Sequence, residues 1–192
     1  LLAAELLRVR ARADAGRGVD DADANPQRIS ALLQQTEQLA RPARGERMEV
    51  LLGPMIEELG RQLRQAFSAK IEVKTSVPED LWAVAGDHDA LRQAIMNLCI
   101  NAREAMPDSG RLEIIAENLV LRDADPRLRH DGRPGMHVVI TVADTGRGIT
   151  ATQLEEVFRP FFTTKEQGRP VGVGLTAVHA IARAHGGFVT VD

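Results

Sequence analysis

Two asparagines four residues apart stand in the run Asn97-Leu98-Cys99-Ile100-Asn101. On a helix that spacing places both amides on one face. Asparagine is a weak helix former, and a buried amide is costly unless its hydrogen bonds are made. An amide oxygen is also a hard donor of the kind Mg²⁺ accepts while bridging phosphates. A second cluster, Asp144-Thr145-Gly146-Arg147-Gly148-Ile149, follows an apolar run of strand character. Its glycines allow positive φ and close approach of backbone to a ligand. A carboxylate fixed there accepts a hydrogen bond from an exocyclic amine. Adenine presents such an amine where guanine presents an acceptor, so this aspartate selects ATP over GTP. The third cluster runs Phe158-Arg159-Pro160-Phe161-Phe162-Thr163-Thr164-Lys165, followed by Gly168 and then by Gly172-Val173-Gly174-Leu175 at the start of a helical pattern. Glycines before a helix bare N–H groups for phosphate, aided by the helix dipole. Lys165 adds a mobile cation for a terminal phosphate. Each cluster alone has an ordinary structural reading: surface or capping asparagines, an Asx turn, and a flexible loop anchored by phenylalanines.

The pattern around these clusters predicts the elements that position them. Asp87 caps a helix running to about Ala105, with Leu91, Ala94, Ile95, Leu98 and Ala102 inward. Arg111–Ala116 and His137–Val142 read as strands, separated by the polar loop Arg122–Pro134. Leu175–Ala184 is a last helix ended by Gly186-Gly187, and Phe188–Val191 begins a strand. Upstream, Met48–Leu51 is a short strand, Pro54–Phe67 a helix, and Ile71–Val77 and Leu81–Ala85 strands. The implied class is α+β, helices covering one face of a mixed sheet. Residues 1–45 differ. Leu2, Leu6, Val9 and Ala13 recur at helical spacing, Gly16 and Gly18 end that segment, and Asn25-Pro26 starts a second helix closed by Pro42. Two helices of one stripe each make a hairpin, which buries its stripes in a four-helix dimer or on its own domain. The expected division is a hairpin over 1–45 and one domain over 46–192.

Composition narrows the rest. The chain has 192 residues and a net charge of −3, which opposes a bulk electrostatic grip on nucleic acid. Aromatic residues are 3% with no tyrosine, too few for base-stacking platforms. Cys99 is the one cysteine, so neither an internal disulfide nor a cysteine-based zinc site forms, and its apolar neighbours mark it as a core residue. No apolar run reaches the ~20 residues of a bilayer span, so no membrane contact by this segment is expected.

In their order and separations, Asn97–Asn101, Asp144–Gly148, Phe158–Phe162 and Gly172–Leu175 resemble the N box, first glycine box, F box and second glycine box of sensor histidine kinases. The resemblance covers roughly Arg47 to Asp192. Asn97–Pro107 and Phe161–Lys165 are most similar to the nitrogen-regulatory and hybrid kinases. It implies a Bergerat-type α/β sandwich, as in gyrase, the Hsp90 chaperones and the mismatch-repair ATPases. It implies that Asn101, with Asn97, holds Mg²⁺. Asp144 would bind adenine in a pocket shaped by Gly146 and Gly148. Lys165, Gly172 and Gly174 would sit by the phosphates, and Ile149, Phe158, Thr164 and Leu175 join them as nucleotide-binding positions. The activity implied is transfer of the ATP γ-phosphoryl group to a histidine, and thence to a response-regulator aspartate, by a homodimer joined through the hairpin. The expected location is the cytoplasm, with a membrane anchor elsewhere in the parent left open. Hydrolysing relatives carry Glu where this chain has Asn97, and an amide cannot take the proton of an attacking water.

Two departures qualify the resemblance. The second glycine box reads Gly168-Arg169-Pro170-Val171-Gly172-Val173-Gly174-Leu175, where Pro170 and Val171 replace the usual glycine and threonine. Pro170 removes an N–H from the phosphate lid, expected over Thr150–Val173, which should be mobile without nucleotide and ordered with it. All five histidines, His88, His130, His137, His179 and His185, lie outside the hairpin. The phosphoacceptor is therefore expected upstream of Leu1 and a further strand beyond Val191, this chain being a piece of a larger kinase. The rival readings are a degenerate nucleotide-binding or dimerisation scaffold, a phosphotransfer adaptor without kinase activity, and a hydrolysing ATPase.

Overall fold

The computed structural model of the chain describes residues 4–10, 48–123, 125, 128, 132–150 and 174–191. Its elements, in chain order, are β1 (Ala4–Arg10), β2 (Met48–Val50), α1 (Leu52–Ala66), β3 (Ile71–Ser76), β4 (Val84–Gly86), α2 (His88–Ala105), β5 (Gly110–Leu121), β6 (Gly135–Asp144), α3 (Gly174–Ala184) and β7 (Phe188–Val191). Five strands form one mixed sheet in the order β3-β5-β6-β1-β7, and β2 pairs with β4 in a separate two-stranded ribbon. The long antiparallel pair β5–β6 is its backbone, with Leu112 opposite Asp144 at one end and Leu121 opposite Gly135 at the other.

The α+β class holds. Met55, Ile56, Leu59 and Leu63 recur every three or four residues, so α1 turns one apolar face to the sheet. α2 does the same with Leu91, Ala94, Ile95, Leu98, Cys99 and Ala102. Those side chains join Ile71, Val73, Leu112, Ile114, Ala116, Val138, Ile140 and Val142 in one core. Side chains alternate along a strand, and Val139 accordingly lies in a second, smaller cluster with Leu121 and Phe188, packed by Leu119 and Leu128. β6 is thus covered on both faces, and His137, Val138, Val139 and Ile140 are all buried in succession.

Three expectations change. Ala4–Arg10 is a strand rather than part of a helix: it pairs parallel with β6 from Ala4 opposite His137 to Arg10 opposite Ala143, and parallel with β7 from Leu6 opposite Phe188. An isolated helix of that length is marginal in water, whereas the edges of β6 and β7 offer backbone donors and acceptors that need partners. The rest of the expected hairpin, residues 11–45, lies outside the described residues. Leu81–Ala85 is a strand only from Val84, because Asn118 Oδ1 takes the Trp82 N–H at 2.9 Å and a side chain replaces the ladder there. β5 and β6 run past their expected ends, to Leu121 and from Gly135 to Asp144.

Candidate functional site

The site begins at α2. Asp87 accepts the N–H groups of Asp89 at 2.9 Å and Ala90 at 3.0 Å, satisfying two donors that a helix start leaves bare. From this cap the 3.6-residue period puts Gln93, Asn97 and Asn101 in one row beside the buried stripe, all half-buried. Gln93 Nε2 donates to Asn97 Oδ1 at 2.8 Å, so the oxygen of Asn97 is already engaged within the helix. Asn101 instead faces the start of α3: a Cβ built on Gly174 would lie 3.4 Å from its Nδ2 and 3.5 Å from its Oδ1. The N-terminus of α3, where helical N–H groups are unsatisfied, therefore adjoins the second asparagine.

Asp144 closes β6 from the other side. Its Oδ1 accepts the Gly146 N–H at 2.8 Å, which is an Asx turn. Partial burial pushes its carboxyl above the usual aspartate range, and the Gly146 hydrogen bond opposes that shift. The turn is tied down at three points. Thr145 N–H donates to the Arg111 carbonyl at 3.2 Å, Thr145 Oγ1 accepts the Arg111 N–H at 3.0 Å, and the Thr145 hydroxyl points at Met106 Sδ at 3.7 Å. Arg147 N–H donates to the Ala105 carbonyl at 3.1 Å, binding the turn to the C-terminal end of α2. A Cβ on Gly146 would meet the Ala105 carbonyl oxygen at 2.5 Å. Among the turn glycines it is Gly148, with φ +73°, that needs the left-handed region. The amide row of α2 and the carboxylate of β6 are thus fixed to each other through backbone, without a flexible intermediary.

Ile149 is half-buried just after the turn, and Leu175 packs on the main core from α3. Phe158, Thr164, Lys165 and Gly172, with the whole stretch 151–173, lie outside the described residues. Cys99 is in the core as expected, its thiol pushed up to about 12 by burial. Gln93, Ala105, Met106 and Thr145 were not singled out in the sequence. Gln93 carried a signal, since it stands four residues before Asn97 on the same stripe; the contacts of Ala105 and Met106 are tertiary and left none. Among the described residues no cluster of three or more His, Cys, Asp or Glu could hold a metal ion, and no helix is long and apolar enough to cross a membrane.

A carboxylate at a strand end, a glycine turn and an amide-bearing helix are thus held together on an α+β sandwich. Residues 86–192, more than half of the chain, match the family of histidine kinase-, DNA gyrase B- and HSP90-like ATPases, and the chain belongs to that family. The sensor kinase CckA of Brucella abortus (strain 2308) is 40% identical over 147 residues, 76% of this chain and 16% of that protein. The sensor histidine kinase ZraS of Escherichia coli (strain K12) is 30% identical over 165 residues, 85% of this chain and 32% of that protein. The solved mycobacterial sensor histidine kinase MprB is similar with a TM-score of 0.54 at 26% identity, over 73% of this chain and 80% of that one. Within the family, the chain carries an ATP-binding catalytic domain of the sensor histidine kinase type. It spans less than a third of the length of either curated relative.

Proposed function

We propose that this chain binds Mg-ATP and presents the γ-phosphoryl group to a histidine on another segment of its parent protein, from which it passes to an aspartate of a response regulator. The observation that supports this most is that the turn after Asp144 is tied through backbone to the end of α2, the helix whose Asn101 faces the start of α3. Asp144 takes the adenine amine, and Gly146 and Gly148 let the backbone pass close to the base. Asn101 offers a hard oxygen donor, which suits Mg²⁺ together with phosphate oxygens. When bound, that ion neutralises charge on the transferring phosphoryl group. Asn97, whose oxygen accepts from Gln93, keeps a second lone pair with which to assist Asn101 at the ion. Gly174 and the N–H groups that follow it stabilise phosphate charge; Lys165 and Gly172 as phosphate contacts, and Phe158 and Thr164 as further nucleotide-binding positions, belong to the same reading. The transfer breaks the γ-phosphorus–oxygen bond, forms a phosphorus–nitrogen bond and releases ADP. The protein's share is positioning and electrostatics.

Asn97 in place of a carboxylate supports transfer over hydrolysis, because no base stands there to activate water. With residues 4–10 taken up in the sheet, homodimerisation through residues 11–45, a receiver domain as partner and a cytoplasmic location belong to the same reading. Intact Asp144 and Asn101 oppose a degenerate scaffold. Calorimetric titration tests the reading: the chain is expected to bind Mg-ATP more tightly than Mg-GTP, and Asp144→Asn to lose about 1–3 kcal/mol of ATP affinity, as for a hydrogen bond to a charged group. Equal affinity for ATP and GTP, or no loss in the variant, would overturn it.

A further inference from the structure

His185 lies one residue past α3 and is 7% exposed. Its Nε2 is 2.9 Å from the backbone N of Asp87, and its Nδ1 is 2.7 Å from the carbonyl oxygen of Ile181. A backbone N–H can only donate and a carbonyl can only accept. Nε2 is therefore the acceptor and Nδ1 carries the proton, so the two contacts fix a single neutral tautomer. The ring joins the last turn of α3 to the cap of α2, across 98 residues of sequence. Room for it is built in: a Cβ on Gly86 would meet His185 Cδ2 at 2.5 Å and Nε2 at 2.8 Å. The chain turns away at Gly186, where φ is +77°, with the Gly187 N–H returning to the Ala182 carbonyl at 2.9 Å.

α2 and α3 are antiparallel, since His185 meets the start of α2 while Gly174 meets Asn101 near its end. The two contacts are about 16 Å apart along α3. Side-chain packing alone lets two helices slide by fractions of an ångström, and the His185–Asp87 hydrogen bond is a directional stop against that slide. What it sets at the other end is the height of Gly174, and of the N–H groups behind it, against the Asn101 amide. The Asp144 turn is not on this lever, because it is anchored to Arg111 and Ala105.

We propose that His185 is a positioning residue for the phosphate end of the nucleotide site: its Nε2 holds α3 in register on α2, so that the N-terminus of α3 meets the phosphates beside Asn101. The inference rests on the nucleotide reading above and adds to it a residue remote from the ligand.

The test compares the full chain with His185→Gln, His185→Asn and His185→Ala, titrating each with adenosine and with Mg-ATP. Gln Oε1 reaches the place of Nε2 and keeps the acceptor for Asp87. Asn reaches only the place of Nδ1, keeping the donor to Ile181 and losing the acceptor. The expected result is that Asn and Ala lower Mg-ATP affinity about tenfold, the size of one lost hydrogen bond. Adenosine affinity stays unchanged in all variants, and Gln restores Mg-ATP affinity. If His185→Ala fails to fold, the Gln–Asn pair, which keeps most of the side-chain volume, carries the comparison. Variants that lose thermal stability while keeping the wild-type ratio of ATP to adenosine affinity overturn the proposal, as does equal behaviour of Gln and Asn. A wild-type chain that binds neither ligand overturns the nucleotide reading itself, and this inference with it.

Discussion

Gly146→Ala tests whether the two halves of the site are one rigid unit. The added methyl would lie 2.5 Å from the Ala105 carbonyl oxygen and 2.7 Å from both its carbonyl carbon and its Cβ. Ordinary contact begins at 3.4 Å, so the turn must retreat by nearly an ångström from the end of α2. The obstacle is mostly backbone and cannot swing aside. Forced overpacking of this kind costs about 1–3 kcal/mol. The retreat also breaks the hydrogen bond from Arg147 N–H to Ala105, worth about 0.5–1.5 kcal/mol. Together these lower Tm by roughly 3–18 °C, at about 2–4 °C per kcal/mol for a domain of this size. The retreat carries Asp144 Oδ2 away from Asn101, so Mg-ATP affinity falls about tenfold or more. Thermal denaturation and calorimetry on the purified variant read both quantities. The control is Gly148→Asn, where positive φ rather than contact is the constraint and asparagine tolerates it better than alanine. A Gly146→Ala variant with wild-type Tm and wild-type ATP affinity would refute the rigid coupling of the turn to α2.

Asp144→Asn should raise Tm at neutral pH while it weakens ATP binding. Burial lifts the folded-state pKa of Asp144 above its unfolded value, so the folded protein holds that proton more tightly and loses stability as pH rises through the shifted value; the gain on substitution, modest because the group is partly exposed, should vanish in acid, and a pH series of melts checks it. Because a hydrogen bond from the adenine amine is stronger to an ionised carboxylate than to a neutral carboxyl, and burial raises the Asp144 pKa, ATP affinity of the unsubstituted chain should fall on acidification at a pH above the ordinary aspartate range. Cys99, buried and with its thiol near 12, should resist iodoacetamide at pH 8 in the native chain and react fully in denaturant, as mass spectrometry would show. Incubated with γ-labelled ATP, this chain should take up no acid-labile phosphate; label mapped to His88, His130, His137, His179 or His185 would mean that the acceptor had been misplaced.

Much of the scaffold is legible because its signals are local. Asp87 as a cap, the α2 stripe and the closing glycines of α3 each follow from residues within one or two helical turns. What escaped the sequence depends on distant partners. Asn118 lies past the expected strand end at Ala116, yet it sits inside β5 and uses its amide to hold Trp82 N–H and the Asp80 carbonyl. Ala4–Arg10 fits a helical period as well as a strand, and the sheet decides between them. The site shows the same division. Asn97, Asn101 and Asp144 stand out by type and spacing, and the structure ties the turn after Asp144 to the end of the helix that carries both asparagines. The reason first given for Gly146, freedom of φ, belongs to Gly148, whereas Gly146 is required by the proximity of Ala105. That distinction is tertiary and invisible in the chain alone.

The double covering of β6 has a consequence for how the domain comes apart. Protein segments open in order of their local stability. β6 has helices on one face and the Val139–Phe188 cluster on the other, and is paired with β5 along its length. α3 has only Val178 and Ala182 fully buried. Under mild denaturant α3 should exchange its amide protons first and β6 last. The strand that ends in Asp144 would then survive in a partly opened state after the phosphate-facing helix has let go. On the proposed nucleotide reading, the element that recognises the base and the one that meets the phosphates would then sit on different rungs of one unfolding ladder.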